Sequence, residues 1–176
     1  MAVATAYPGR PSADEHLPYF GQYIDLVPDG DLIPILKRQV GETCAALAKL
    51  DPRSASIRPT ASEWSQLDIA VHLADTERVL AHRAFVFARE DGAELPGVEF
   101  EAFAEAAAAG GRTVDDVATE LIAVRAATVA LFRSLGAEAW THRGTASGSV
   151  ISVRALAYAI AGHELHHLPD LTRSDV

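Results

Sequence analysis

Apolar positions recur at steps of three and four over most of the chain, and this pattern predicts four long helices. The first covers residues 31–50, with a stripe of Ile33, Leu36, Val40, Cys44 (or Thr43) and Leu47. Asp29 or Asp31 caps it, Pro34 is tolerable only within its first turn, and Asp51-Pro52 ends it. The second covers residues 66–89 and is entered through Ser65, with Asp68 three residues later as an approximate capping box. Ile69, His72, Thr76, Val79, Arg83 and Val86 form its heptad-like series, and Leu73, Leu80 and Phe87 complete the buried side. Thr113 with Asp116 repeats the capping signal. The helix that follows carries Val114, Val117, Leu121, Val124, Thr128, Leu131 and Leu135, the cleanest period in the chain, and Gly136 stops it. The fourth runs over residues 153–168, capped by Ser152 and closed by Pro169. Its stripe is Val153, Leu156, Ile160, His163 and His167, so two histidines continue a core face.

The intervening segments read differently. Residues 1–28 are rich in proline and aromatics (Pro8, Pro11, Pro18, Pro28) and predict an extended arm with one short helical turn, packing Tyr19, Phe20 and Tyr23 onto the body. Residues 52–63 form a connector. Residues 90–112 hold Pro96, Gly97, Gly110 and Gly111 around 100–109, which predicts a longer crossover with a short helix. Residues 137–151 read as a loop containing Trp140, His142 and Gly144-Thr145-Ala146-Ser147-Gly148. This is not a phosphate loop, since no G-K-[ST] follows and no strand precedes it. The expected fold is therefore all-α: one domain over residues 1–176, a four-helix bundle with a longer crossover between helices two and three and an extended N-terminal arm.

Composition narrows the setting. At 176 residues the chain is long enough to bury a sizeable core as one domain. No apolar run approaches the ~20 residues of a membrane span. Met1 to Pro8 lacks a basic segment followed by an apolar core, so no secretory signal is expected. Cys44 is alone, which excludes an internal disulfide, leaves the cytoplasm as the expected compartment, and suits a small buried or half-buried helix residue. Fifteen Lys and Arg against twenty-four Asp and Glu give a formal charge of −9, with no basic cluster. Nucleic acid and anionic membrane surfaces are disfavoured as partners.

The chemistry concentrates in Gly162-His163-Glu164-Leu165-His166-His167-Leu168-Pro169. His163 and His167 are four residues apart, so on a helix they stack on one face and are able to share a metal ion. Burying two imidazoles side by side costs desolvation that a shared cation offsets. The same stretch fits H-E-x-x-H, but a metzincin third histidine would fall at Arg173, and the nine residues after His167 offer only Asp170 and Asp175. A third ligand must come from upstream, which argues against a protease. His72, inward by helical phase, is the best candidate, although an inward histidine by itself is more often a core residue with one hydrogen bond. His166 is an alternative partner for His163. His16, His82 and His142 have no partner in phase and read as solvated surface. Glu164 is either a general base or a solvated, helix-pairing glutamate. Asp75 either orients His72 or pairs with Arg78. Arg83 and Arg125 either face the interior and hold an anionic substrate group or pair with Asp75 or Glu77.

Taken in order, several segments resemble the DinB-like superfamily of metal-binding four-helix bundles. They are Tyr23-Ile24-Asp25-Leu26-Val27-Pro28, Trp64-Ser65, His72-Leu73-Ala74-Asp75-Thr76-Glu77-Arg78, Arg83, Arg125, Trp140 to Gly144, Ser152 to Leu156, and Gly162 to Leu168. The likeness is greatest to the branch of metal-dependent hydrolases and bacillithiol-transferase-like proteins. The resemblance implies a triad of His72, His163 and His167, matching the phase argument, and a divalent ion: zinc or nickel first, with iron or manganese as alternatives. It also implies a homodimer. Several relatives activate a small sugar thiol such as bacillithiol or mycothiol for transfer to electrophiles. The expected activity is therefore a metal-dependent thiol transferase acting on a small-molecule thiol and an electrophilic substrate. Its alternatives are a hydrolase using metal-bound hydroxide and a non-catalytic, stress-related metal-binding bundle.

Overall fold

Caps and breakers set the helix ends. The computed structural model describes residues 9–107 and 109–173; Pro8, the residues read above for a secretory signal, and Asp175 lie outside them. The described residues form α1 (Pro18–Ile24), α2 (Leu32–Leu47), α3 (Gln66–Arg89), α4 (Phe100–Ala106), α5 (Val114–Arg133) and α6 (Val153–Leu171). Three short strands, β1 (Glu94–Leu95), β2 (Arg143–Ala146) and β3 (Ser149–Ser152), complete the chain with single 3₁₀ turns. Asp31 caps α2 by accepting from Ile33 N at 3.1 Å, and Ser152 caps α6 by accepting from Ala155 N at 3.1 Å. The capping boxes Ser65/Asp68 and Thr113/Asp116 are both formed.

The bundle consists of α2, α3, α5 and α6. Helix α3 packs on α5 and α6, and α2 packs on the same two from the other side. Helix α1 lies on α6, and α4 lies on α3. The architecture is the expected all-α four-helix bundle, with the longer crossover carrying α4. Four details depart from the sequence reading.

The N-terminal arm holds more structure than one turn: a 3₁₀ turn at Ala13–Glu15 precedes α1. Helix α2 buries Leu32, Ile35, Leu36, Gln39, Thr43, Ala46 and Leu47, so its inner face is rotated from the expected stripe, and Ile33, Val40 and Cys44 are only half-buried. The alternative Thr43, rather than Cys44, is the inward residue, and the rest of the rotation follows from Gln39, a polar inward residue that an apolar count omits. Helix α6 does not stop at Pro169 but runs through it to Leu171. A proline in the last turn removes a single helical donor. Buried Leu171 and the Gln66 amide, which donates to the carbonyls of Leu171 and Arg173 at 3.2 Å each, hold that end in place.

Residues 137–151 are not a plain loop. After a 3₁₀ turn at Glu138–Thr141, β2 and β3 form an antiparallel hairpin, and β1 adds in parallel to β2. Ala146 pairs with Ser149, and the two residues between them, Ser147 and Gly148, have φ of 54° and 72°. That is the left-handed pair a two-residue hairpin turn requires. Gly144 lets β2 lie against Phe87, whose ring would be 2.2 Å from a Cβ at this position.

The bundle interior is divided. One apolar cluster contains Leu36, Phe87, Phe132, Trp140 and Leu156, and a second contains Leu47, Leu67, Val117, Leu121 and Leu171. Between them every bundle helix contributes buried polar groups: Gln39 and Thr43, Thr76 and Glu77, Arg125 and Thr128, His163 and Glu164. The candidate site opens from one side of this polar layer.

Candidate metal centre

The bundle brings His72 of α3 against His163 and His167 of α6. One donor atom from each lies within 4.8 Å of the other two, and His72 Nε2 is 3.1 Å from His163 Nε2. Nitrogens sharing a tetrahedral ion at about 2.0–2.1 Å stand roughly 3.3 Å apart. The His72–His163 spacing is therefore close to that of two ligands of one divalent ion, and His167 lies within reach of the same point. Among the described residues no fourth histidine, cysteine or carboxylate joins the group.

Burial also sets the protonation state that ligation needs. Desolvation, aided by His167, pushes His72 down to about 4. Desolvation and the neighbouring histidines hold His163 well below the usual imidazole range. His167 is lowered by burial, against the opposing effect of Asp170. The His167 Nδ1–H faces Asp170 Oδ2 at 3.3 Å, which leaves Nε2 for the cluster. Sequence reasoning missed this partner because Pro169 was read as the end of the helix; the i, i+3 spacing was the available signal.

The other candidates separate cleanly. Asp75 pairs with Arg78 at 3.2 Å rather than with His72. Glu164 is neither solvated nor in the cleft: it is buried, accepts from Thr43 Oγ1 at 2.6 Å, and pairs with Arg125 at 2.8 Å. Arg125 also grips Glu77, at 2.9 Å from Nε and 2.8 Å from Nη2, and donates to Leu36 O at 2.7 Å. Burial would lower the Arg125 pKa, but the two carboxylates outweigh it and raise it. Arg125 is thus a strut between α5, α3 and α6, and unavailable to substrate. Arg83 is buried and contacts Ser147. His166 is exposed, with its ring 5.2 Å from Tyr23, and stays outside the triad. His16 and His142 are half-buried rather than solvated, facing the carbonyls of Leu17 (2.8 Å) and Phe87 (3.3 Å), while His82 is exposed.

The triad floors a cleft of about 260 Å³. Trp64 lies 4.7 Å from the His72 ring, Phe100 6.3 Å from it, and Tyr23 5.4 Å from the His163 ring. Tyr19 and Phe20 extend the aromatic wall, and Glu101 is the carboxylate in the lining. Tyr23 is held there by a backbone approach that only glycine allows: a Cβ on Gly162 would lie 1.9 Å from Tyr23 O. Phe100 and Glu101 had no signal in the sequence, because their place depends on how the crossover folds back over α3.

No curated protein matches the chain in sequence. Among solved structures, it is similar to YfiT from Bacillus subtilis, described as a probable metal-dependent hydrolase with an unusual four-helix bundle topology. The TM-score is 0.73 at 14% identity, covering 96% of this chain and 94% of that one. It is also similar to a mycothiol-dependent maleylpyruvate isomerase, with TM-score 0.66 and 16% identity over 87% of this chain. The chain spans 64% of that longer protein. At these identities the likeness is one of fold. Family membership rests on sequence: residues 35–170, a stretch that includes all three clustered histidines, match the DinB superfamily, and the chain belongs to it.

Proposed function

We propose that His72, His163 and His167 bind one divalent ion, zinc or nickel in preference to iron or manganese, and that the protein is an enzyme transferring a small thiol to an electrophile. The observation that carries this is the convergence of three neutral imidazoles at the floor of an open aromatic cleft, with no fourth protein ligand among the described residues. A bound ion would supply Lewis acidity, lowering the pKa of a thiol or water beside it. The protein's own groups do the rest. Asp170 orients His167, while Trp64 and Tyr23 brace His72 and His163 and exclude water from one side. The Arg125 strut holds α3 and α6 at the spacing the three histidines need. A thiol of the bacillithiol or mycothiol type is the substrate class the resemblance supports, and the mycothiol dependence of one structural neighbour agrees with it.

Hydrolysis is the second reading, favoured by the description of YfiT and by the Glu101 carboxylate in the cleft lining. Glu164 does not serve it as base, being tied to Arg125 and Thr43. A non-catalytic bundle would be expected to close its metal site with a fourth ligand. The setting that goes with this reading is a cytoplasmic homodimer. The formal charge of −9 disfavours nucleic acid, and no described helix is long and apolar enough to cross a membrane.

Metal content of protein purified without chelator or affinity tag, beside His72→Ala and His163→Ala, tests the centre. About one ion per chain is expected, lost or much weakened in both variants. Wild type that neither carries nor takes up zinc or nickel overturns the proposal. Assays of the loaded protein with an electrophile, with and without a thiol, then separate transfer from hydrolysis.

A further inference from the structure

Six charged side chains are buried in the described residues: Glu15, Asp68, Glu77, Arg83, Arg125 and Glu164. Five of them have an opposite charge in contact. Glu15 faces Arg154, Asp68 faces Arg58, and Glu77 and Glu164 share Arg125. Arg83 is the exception. It is 5% exposed, close to the 3% of Arg125, yet its one protein partner among the described residues is the Ser147 hydroxyl, 3.2 Å from Nη2. Burial lowers its pKa, and no neighbouring carboxylate opposes the effect.

A guanidinium withdrawn from water without a counter-charge is costly, and its planar fork of donors matches an oxyanion. Its surroundings extend that donor set. Ser147 accepts from Arg83 and keeps its own hydroxyl hydrogen to donate. The turn that carries Ser147 is covered by the crossover at Gly97, where a Cβ would stand 3.4 Å from Ser147 Oγ. Three residues farther on, Phe100 forms a wall of the cleft. Arg83 also lies eleven residues after His72, about three helical turns or roughly 16 Å along the same face of α3. Thr76 and Leu80, between the two, line the cleft.

We infer that Arg83 and Ser147 form an anchor for an oxyanion, a carboxylate or phosphate group, at the end of the α3 face away from His72. The group held there is a handle of the ligand rather than its reacting centre, since the histidines lie three turns away. That use rests on the function proposed above; the anion site itself does not depend on a metal.

The test is thermal unfolding of the chelator-treated full chain, titrated with sodium phosphate or sodium succinate against sodium chloride at matched ionic strength. Wild type, Arg83→Met and Arg83→Gln are compared. In wild type a saturable rise in Tm is expected with at least one oxyanion. A response to phosphate alone identifies free phosphate or a phosphoryl group, and a response to succinate identifies a carboxylate. Both variants are expected to be at least as stable as wild type without anion, because a buried unpaired charge has been removed. Their apparent anion affinity should fall by about tenfold or more. Equal responses in all three proteins overturn the inference, as does no response in wild type. Destabilisation of both variants without anion also overturns it, since Arg83 would then be a structural strut. Metal uptake by the same samples reports separately on the histidine centre.

Discussion

Asp170 Oδ2 stands 3.3 Å from His167 Nδ1, across the turn of α6 that contains Pro169. A carboxylate behind a ligating imidazole fixes the tautomer and raises ligand basicity, and losing such a partner typically weakens metal binding by about 10–100-fold. Asp170→Ala should show a loss of that size in competition with a chromogenic zinc chelator. Its unfolding midpoint without metal should change little, because the pair is partly solvated.

Arg125 reconciles two buried carboxylates, so its removal strands them. Arg125→Met should cost about 3–5 kcal/mol in urea denaturation, the range for breaking a buried ion pair from one side. Glu164→Gln keeps the shape and a hydrogen-bonding group, and should cost less. Turnover in Glu164→Gln should fall by well under tenfold once metal loading is matched; a loss of several orders of magnitude would restore Glu164 as a catalytic base.

Stability of the metal-free protein should fall with acid in two windows. His72 drops from an ordinary 6.5 to about 4 on folding, so the native state binds fewer protons than the unfolded one. Its contribution is present above pH 6.5 and is lost as pH falls toward 4. Glu15 follows at lower pH. Burial works to raise it, but hydrogen bonds from Arg154, Ser12 and Ser152 prevail and hold it at about 2, against a usual 4.5. That difference is worth on the order of 3 kcal/mol, present above pH 4.5 and lost as pH falls through 2. Denaturant midpoints measured across pH should show a shallower upper limb in His72→Phe, where His163 and His167 keep the remainder, and a shallower lower limb in Glu15→Gln, where Asp68 and Glu120 do.

Gly162→Ala should lift α1 from α6, since the added carbon would meet the carbonyl of Tyr23 at 1.9 Å. Overpacking of this kind typically costs about 1–3 kcal/mol. Limited proteolysis should cut near residues 18–24 sooner in the variant. The cleft, deprived of Tyr23, should bind its ligand less tightly even where metal content is unchanged.

That His72, His163 and His167 meet was legible because helical phase is a local property: four residues separate His163 from His167, and the α3 stripe places His72 inward. The inner face of α2 was only partly legible, since Gln39 was missed and Thr43 was left as an alternative to Cys44; both are inward for reasons stated elsewhere in the chain. Gln39 donates to Ala161 O at 3.1 Å, and Thr43 donates to Glu164 at 2.6 Å. Glu164 looked solvated for the same reason, since its cation sits 39 residues upstream. The hairpin at Arg143–Ser152 escaped notice because strands of four residues give too short an alternation, and glycine and serine around them read as loop.

The polar layer across the bundle has a consequence for how the protein tolerates change. Leu36, Phe87 and Trp140 lie in one apolar half, and Leu47, Val117 and Leu171 in the other, with charged and hydroxyl groups between. Substitutions that share no neighbours add nearly independently. Each half can therefore be repacked on its own, and the end that carries the hairpin can drift in sequence while the end beside Trp64 keeps its histidines in place.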